Sequence, residues 1–274
     1  MKNALTIDVE DYFQVENFRG IIPYSDWDKF ELRAENNTDK LLNILKNHNV
    51  RATFFVVGWI AERCPGLVKR IHASGHEIAC HSYGHMLIYK QQPEEFRQDI
   101  RKAKKILEDI ISDKVIGYRA PSYSITKNSL WAFDILCEEG FKYDSSLFPI
   151  HHDKGGLASA KRLPHYIECK NGVKLWEFPI STIQLFGQNI PFSGGGYLRF
   201  LPYNFVKWAG NQLINQGIPL NIYIHPWEFD PQQPKINAGM LNNFRHYINI
   251  DKNEQKLKRL LNDFEFVPIK DLYA

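Results

Sequence analysis

Short apolar runs rich in β-branched residues alternate with longer amphipathic stretches through the first half of the 274-residue chain. The runs lie near 4–9, 51–57, 76–80, 115–119 and 142–144; the stretches near 38–48, 61–74, 93–111 and 127–139 repeat apolar residues at helical spacing. Runs this short, apolar on both faces, read as buried strands, and the amphipathic stretches between them read as crossover helices. Thr53-Phe54-Phe55-Val56-Val57 is the clearest of these strands. The alternation predicts an α/β fold, either a parallel barrel or a doubly wound sheet, with its chemistry at the C-terminal strand ends.

Residues 145–205 break the rhythm. Pro149, Gly155-Gly156, Pro164, Pro179, Pro191 and Gly194-Gly195-Gly196 punctuate short β-like pieces such as Leu175-Trp176-Glu177-Phe178, which predicts a turn-rich insertion. Loops of that kind commonly shape a groove above a barrel mouth. A helical pattern near 253–263 and the run Phe264-Glu265-Phe266-Val267-Pro268-Ile269 read as closing structure. Residues 1–274 are therefore expected to form one domain.

Polar residues stand at the ends of four apolar runs. Ala4-Leu5-Thr6-Ile7 ends in Asp8-Val9-Glu10-Asp11, and acids so crowded repel one another unless a cation sits among them. Glu77-Ile78-Ala79-Cys80 ends in His81-Ser82-Tyr83-Gly84-His85, whose two imidazoles would share a face if the segment made one helical turn. Val115-Ile116-Gly117-Tyr118 ends in Arg119-Ala120-Pro121-Ser122-Tyr123, where a permanently charged fork suits a carboxylate and Pro121 fixes the backbone. Ile222-Tyr223-Ile224 ends in His225-Pro226-Trp227-Glu228. Each of these residues taken singly reads as a cap, a surface ion pair or a core histidine; four at strand ends point to one site.

These blocks, in this order and joined by Tyr143-Asp144-Ser145-Ser146, resemble the NodB-type polysaccharide deacetylases of carbohydrate esterase family 4. Asp8-Val9-Glu10-Asp11-Tyr12-Phe13, Gly194 to Arg199 and His225 to Phe229 look like the exopolysaccharide-locus branch found with exosortase systems. The resemblance implies a distorted, incomplete (β/α)7 barrel. It implies Asp8 as general base, tethered by Arg119, and His81, His85 and a carboxylate from Glu10 or Asp11 as ligands of a divalent metal. It also implies an oxyanion hole using the Ser122 amide, and His225 as the acid that protonates the leaving amine, oriented by Asp144. The opening motif departs from the family's adjacent aspartates, and Tyr223 replaces the leucine expected two residues before the late histidine, which bears on acyl specificity.

The residue types suit hydrolysis of an N-acetyl amide, which needs a polarised carbonyl, an activated water, oxyanion stabilisation and a proton for the amine. Zinc suits the mixed nitrogen and oxygen ligands best, with cobalt, nickel or manganese left open. Tyr123, Tyr197 and Trp227 are the candidate sugar platforms, in a chain with 14 % aromatic residues. The expected substrate is an N-acetylated polysaccharide or a lipid-linked oligosaccharide, in association with polysaccharide assembly machinery. Two other readings are a non-catalytic carbohydrate-binding subunit and a hydrolase of small cyclic amides; the complete set of site residues counts against the first and the histidine pair against the second.

A net charge of +3 without a basic run argues against nucleic acid. No apolar stretch is long enough for a transmembrane span, and no signal peptide is seen. Cys64, Cys80, Cys137 and Cys169 are scattered and read as reduced thiols, so the expected location is the cytoplasm, peripheral to the inner membrane at most.

Overall fold

The computed structural model describes residues 1–273. Its strands are β1 (Asn3–Val9), β2 (Thr53–Val56), β3 (Glu77–Cys80), β4 (Gly117–Tyr118), β5 (Tyr143–Asp144), β6 (His165–Glu168), β7 (Lys174–Glu177), β8 (Thr182–Leu185), β9 (Gln188–Pro191), β10 (Asn221–Ile224) and β11 (Phe266–Val267). Seven of them run parallel in the spatial order β10-β1-β2-β3-β4-β5-β7. β6 adds an antiparallel edge to β7, and β11 pairs with the start of β1. Every residue of β1 is buried, as a strand covered on both faces requires.

The helices are α1 (Ala34–Asn47), α2 (Gly58–Arg63), α3 (Pro65–Ala73), α4 (Pro93–Ile111), α5 (Trp131–Glu138), α6 (Gly195–Phe200), α7 (Tyr203–Asn215), α8 (Met240–Tyr247) and α9 (Ile250–Asp263). α4 shows how the sequence writes them. Gln92 and Glu95 form a capping box, Pro93 takes the first turn, and Phe96, Ile100, Ala103 and Leu107 make one buried stripe. The single helix expected over 61–74 is two, because Pro65 has no N–H to continue a helix and starts α3 instead.

This is the expected half-closed barrel, reached with one correction. The stretch near 145–205 is not wholly an insertion above the mouth: it contains β7, which pairs parallel with β5 and serves as a barrel strand. The gap between β7 and β10 is stitched by a side chain instead of a ladder. Asn221 Nδ2 donates to the carbonyls of Phe178 (2.9 Å) and Pro179 (3.2 Å) and to Ser145 Oγ (2.9 Å). No helix among the described residues is long and apolar enough to cross a membrane.

The cysteine reading is also corrected. Cys137 at the end of α5 and Cys169 after β6 form a disulfide, while Cys64 and Cys80 are buried free thiols. Their separation of 32 residues carries no local signal, and only the packing of α5 beside β6 and β7 brings them together. Disulfides persist in oxidising compartments, which counts against cytoplasmic residence. Closing a loop of this length stabilises by about 3–4 kcal/mol on chain entropy. Urea unfolding with and without reductant should therefore show a loss near that size, matched by Cys137→Ser and absent when the reductant is added to that variant.

Candidate active site

Asp8 and Glu10 stand at the end of β1, His81 just past β3, Arg119 just past β4 and His225 just past β10. The parallel register places these ends at one rim, and all but Arg119 line a cavity of about 360 Å³. Arg119 lies fully buried beneath it. Its Nη1 donates to Asp8 Oδ1 at 2.6 Å and Thr6 Oγ1 at 2.7 Å, Nε donates to the Ser145 carbonyl at 3.1 Å, and Nη2 to Ser145 Oγ at 2.8 Å. One oxygen of Asp8 is thereby fixed, and the other, Oδ2, lies 3.9 Å from His225 Nε2.

Glu10, His81 and His85 each turn one ligand atom inward, all within 4.8 Å of one another and all buried. Their chemistry suits a divalent cation. The Arg119 carbonyl can only accept, so at 2.8 Å it fixes the proton of His81 on Nδ1 and leaves Nε2 as a lone pair. Burial lowers His81 to about 4, which keeps the ring neutral, as a ligand must be. Glu10 Oε2 lies 2.7 Å from His85 Nε2. Burial opposes the charge of Glu10, but His85, His225 and His81 outweigh it and hold the carboxyl well below the usual range.

Of the two carboxylates left open in the sequence, only Glu10 turns toward the histidine pair. Asp11 faces away: Oδ1 accepts from the Tyr12 amide at 2.8 Å, and Oδ2 from the amides of Arg33 (2.6 Å) and Ala34 (2.7 Å), capping the start of α1. The histidines do not converge on a helical turn either. Ser82 and His85 adopt left-handed φ of 61° and 49°, and the loop is shaped by Asp99 of α4, which accepts from the amides of Tyr83 (2.7 Å) and Gly84 (2.9 Å).

Asp144 is not beside His225. It accepts from the Ser146 hydroxyl (2.6 Å) and amide (2.9 Å) and pairs with Glu177; burial pushes both carboxyls up, Glu177 furthest. The carboxylate at His225 Nδ1 is Glu228, at 3.2 Å, itself ion-paired to Arg199 Nε at 3.2 Å. Burial disfavours the imidazolium, but Glu228, Glu10 and Asp8 outweigh it and raise His225 to about 9.

Tyr123 and Tyr197 line the cavity, with Phe148 against both rings. Trp227 also lines the cavity but is only 5 % exposed, its ring stacked with those of His225 (centroids 5.2 Å) and His246 (4.2 Å) while Nε1 donates to Glu10 Oε1 at 3.0 Å. Ser122 and Tyr123 are both left-handed, φ 51° and 54°, and press so closely on Gly155 that a Cβ there would meet the Ser122 carbonyl at 2.2 Å. Tyr223 fits on the same terms: a Cβ on Gly194 would lie 2.1 Å from its ring.

A polysaccharide deacetylase family model matches residues 24–135, and a domain of unknown function (DUF3473) matches residues 145–274. Over residues 24–135 the chain is similar to the polysaccharide deacetylase family. A peptidoglycan-N-acetylglucosamine deacetylase from Bacillus cereus is 42 % identical over 96 residues, 35 % of this chain and 35 % of the relative, so the match spans about a third of that protein's length. A crystal structure described as a polysaccharide deacetylase from Mycobacterium smegmatis has the same fold, with a TM-score of 0.64, 20 % identity, and 98 % of this chain and 87 % of that one covered. An allantoinase shares the fold to the same degree, TM-score 0.64 at 16 % identity over 98 % of this chain and 88 % of the other. One sheet joins the two matched regions through strands that lie outside both: β5 pairs with β4 and β7, and β1 with β2 and β10.

Asp99, Glu228 and Arg199 escape sequence reasoning about roles, although Glu228 shows one signal, a charge inside the aromatic block Pro226-Trp227-Glu228-Phe229. Because Asp99 shapes the His81–His85 loop without facing the cavity, Asp99→Ala should weaken zinc binding about 10–100-fold while far-ultraviolet circular dichroism is retained. Competition with a chromophoric chelator checks this, and an unchanged affinity would detach the loop from the site.

Proposed function

We propose that this chain is a metal-dependent hydrolase that removes N-acetyl groups from amino sugars of a polysaccharide or its precursor, releasing acetate. The observation that carries the reading is one cavity in which the Glu10, His81 and His85 cluster adjoins an Arg119-held Asp8 and a His225 backed by Glu228. The likeness of Asp8 to Phe13, Gly194 to Arg199 and His225 to Phe229 to exopolysaccharide-locus proteins supports an exopolysaccharide as the polymer.

Glu10, His81 and His85 would hold a divalent ion, best zinc, whose charge when bound polarises the amide carbonyl and lowers the pKa of water. Asp8 keeps Oδ2 free of Arg119 and takes the proton of the attacking water there. The Ser122 amide, on the cavity wall in a rigid left-handed turn, donates to the oxyanion. His225 hands its proton to the amide nitrogen as the carbon–nitrogen bond breaks, giving acetate and a free amine. Glu228 fixes the ring through Nδ1, so Nε2 is the nitrogen that works on the substrate.

Acetate release from N-acetylglucosamine oligomers tests the reading. Chelation and Asp8→Asn should each cut it at least about a hundredfold, and His81→Ala should lose its metal by elemental analysis. Retained release after chelation would overturn metal dependence.

The two carboxylates near the late histidine separate by kinetics. Glu228→Gln should lower kcat about a hundredfold with little change in KM, whereas Asp144→Asn should act mainly on the melting temperature. The reverse pattern would return the orienting role to Asp144.

A further inference from the structure

α8 carries its polarity inside out. His246 is buried, stacked on Trp227, with Nε2 2.7 Å from Gln233 Oε1. Outward, Met240, Leu241 and Phe244 are 88 %, 60 % and 50 % exposed, and Phe200 at the end of α6, 59 % exposed, packs against Phe244 with ring centroids 6.1 Å apart. An ordinary surface helix does the opposite, and a contiguous exposed apolar patch marks a binding surface.

The patch is held in place. Arg199 donates to the carbonyls of Arg245 (3.0 Å), His246 (2.6 Å) and Ile248 (2.9 Å), pinning the last turn of α8 with the same guanidinium that braces Glu228. It is also continuous with the site, since Phe200, Leu241 and Phe244 line the cavity that contains Asp8 and His81. Arg199, Arg245 and Lys154 line that cavity as well. Glu228 neutralises Arg199 at 3.2 Å and Asp153 neutralises Arg245 at 2.8 Å, while Lys154 has no carboxylate partner among the described residues.

Building on the deacetylase reading, we propose that the substrate sugar carries an apolar chain through an acidic link such as a phosphate, and that the outward face of α8 with Phe200 seats that chain. Lys154 then meets the acidic link. A plain glycan accounts for the surface poorly, because the aliphatic Met240 and Leu241 give no flat ring for a pyranose and little to match its hydroxyls.

Two phosphodiesters that differ only in the chain test this: N-acetylglucosamine 1-(octyl phosphate) and 1-(methyl phosphate). Calorimetric titration into the metal-free protein, which keeps Asp8 paired with Arg119, should show the octyl compound binding at least about tenfold tighter, and Leu241→Ser with Phe244→Ser should bring the ratio near one. Both positions are exposed, so the double variant should melt with the parent. Equal affinities, a ratio unmoved by the double variant, or a parent dimer that the double variant dissolves would each overturn the proposal. Turnover by the unmodified protein keeps the two readings apart. Acetate released equally from both compounds sinks the seat and leaves the deacetylase, whereas tighter octyl binding without acetate from either supports the seat and sinks the deacetylase.

Discussion

A single buried guanidinium organises the interior of the barrel. Arg119 extends from β4 beneath the cavity and bonds to Thr6 and Asp8 on β1 and to Ser145 past β5, with Asn221 of β10 at 3.4 Å. Its charge is fully removed from water, a cost of several kcal/mol that only close pairing offsets, and leaving such a charge unpaired costs about 3–5 kcal/mol. Asp8 is therefore as much a requirement of the fold as a candidate reagent. The same contacts explain why an open barrel holds its curvature: where no strand ladder joins β7 to β10, Ser145 and Asn221 tie the two edges through side chains around Arg119.

A second buried arginine repeats the device toward the rim. Arg199 neutralises Glu228, Glu228 holds His225 by both Nδ1 and the backbone amide, and the remaining N–H groups of Arg199 fix the end of α8. Trp227 stacks with both His225 and His246, and its indole hands Glu10 a hydrogen bond. These contacts make the late histidine, the Glu10 carboxylate and the wall of the cavity one rigid body. A loosened Glu228 would thus reach beyond a single proton donor.

What could be read from the chain was what local pattern encodes. Strand ends are legible because β-branched runs stop abruptly at a charge, and Asp8, His81, Arg119 and His225 were found on that signal. Glu10 and Asp11 could not be separated, because alternation along a strand fails where the strand ends and a helix cap begins. Glu228 reaches His225 across a three-residue turn whose shape no periodicity reports, braced by Arg199 29 residues away, and Asp99 acts from another layer. Sequence does not show how much of Trp227 is covered by the imidazoles stacked on it, and the Cys137 to Cys169 link was hidden by distance.

The strain in the site follows from the same contacts. Ser82, His85, Ser122 and Tyr123 all sit in the left-handed region, where a side chain costs about 1–2 kcal/mol per residue. Nothing in these four residues favours that geometry; the surroundings impose it. Asp99 captures two amides of the histidine loop, and the Tyr123 carbonyl accepts from the Gly156 amide while Gly155 lets the chain approach. The loops are therefore set in shape before any ligand arrives, and the ordering cost is met in folding rather than in binding. For the proposed hydrolase, which would place a proton donor, a base and an oxyanion donor around one small acetamide, that timing would matter more than the fold's overall stability, since displacement by an ångström costs rate even where the protein stays folded.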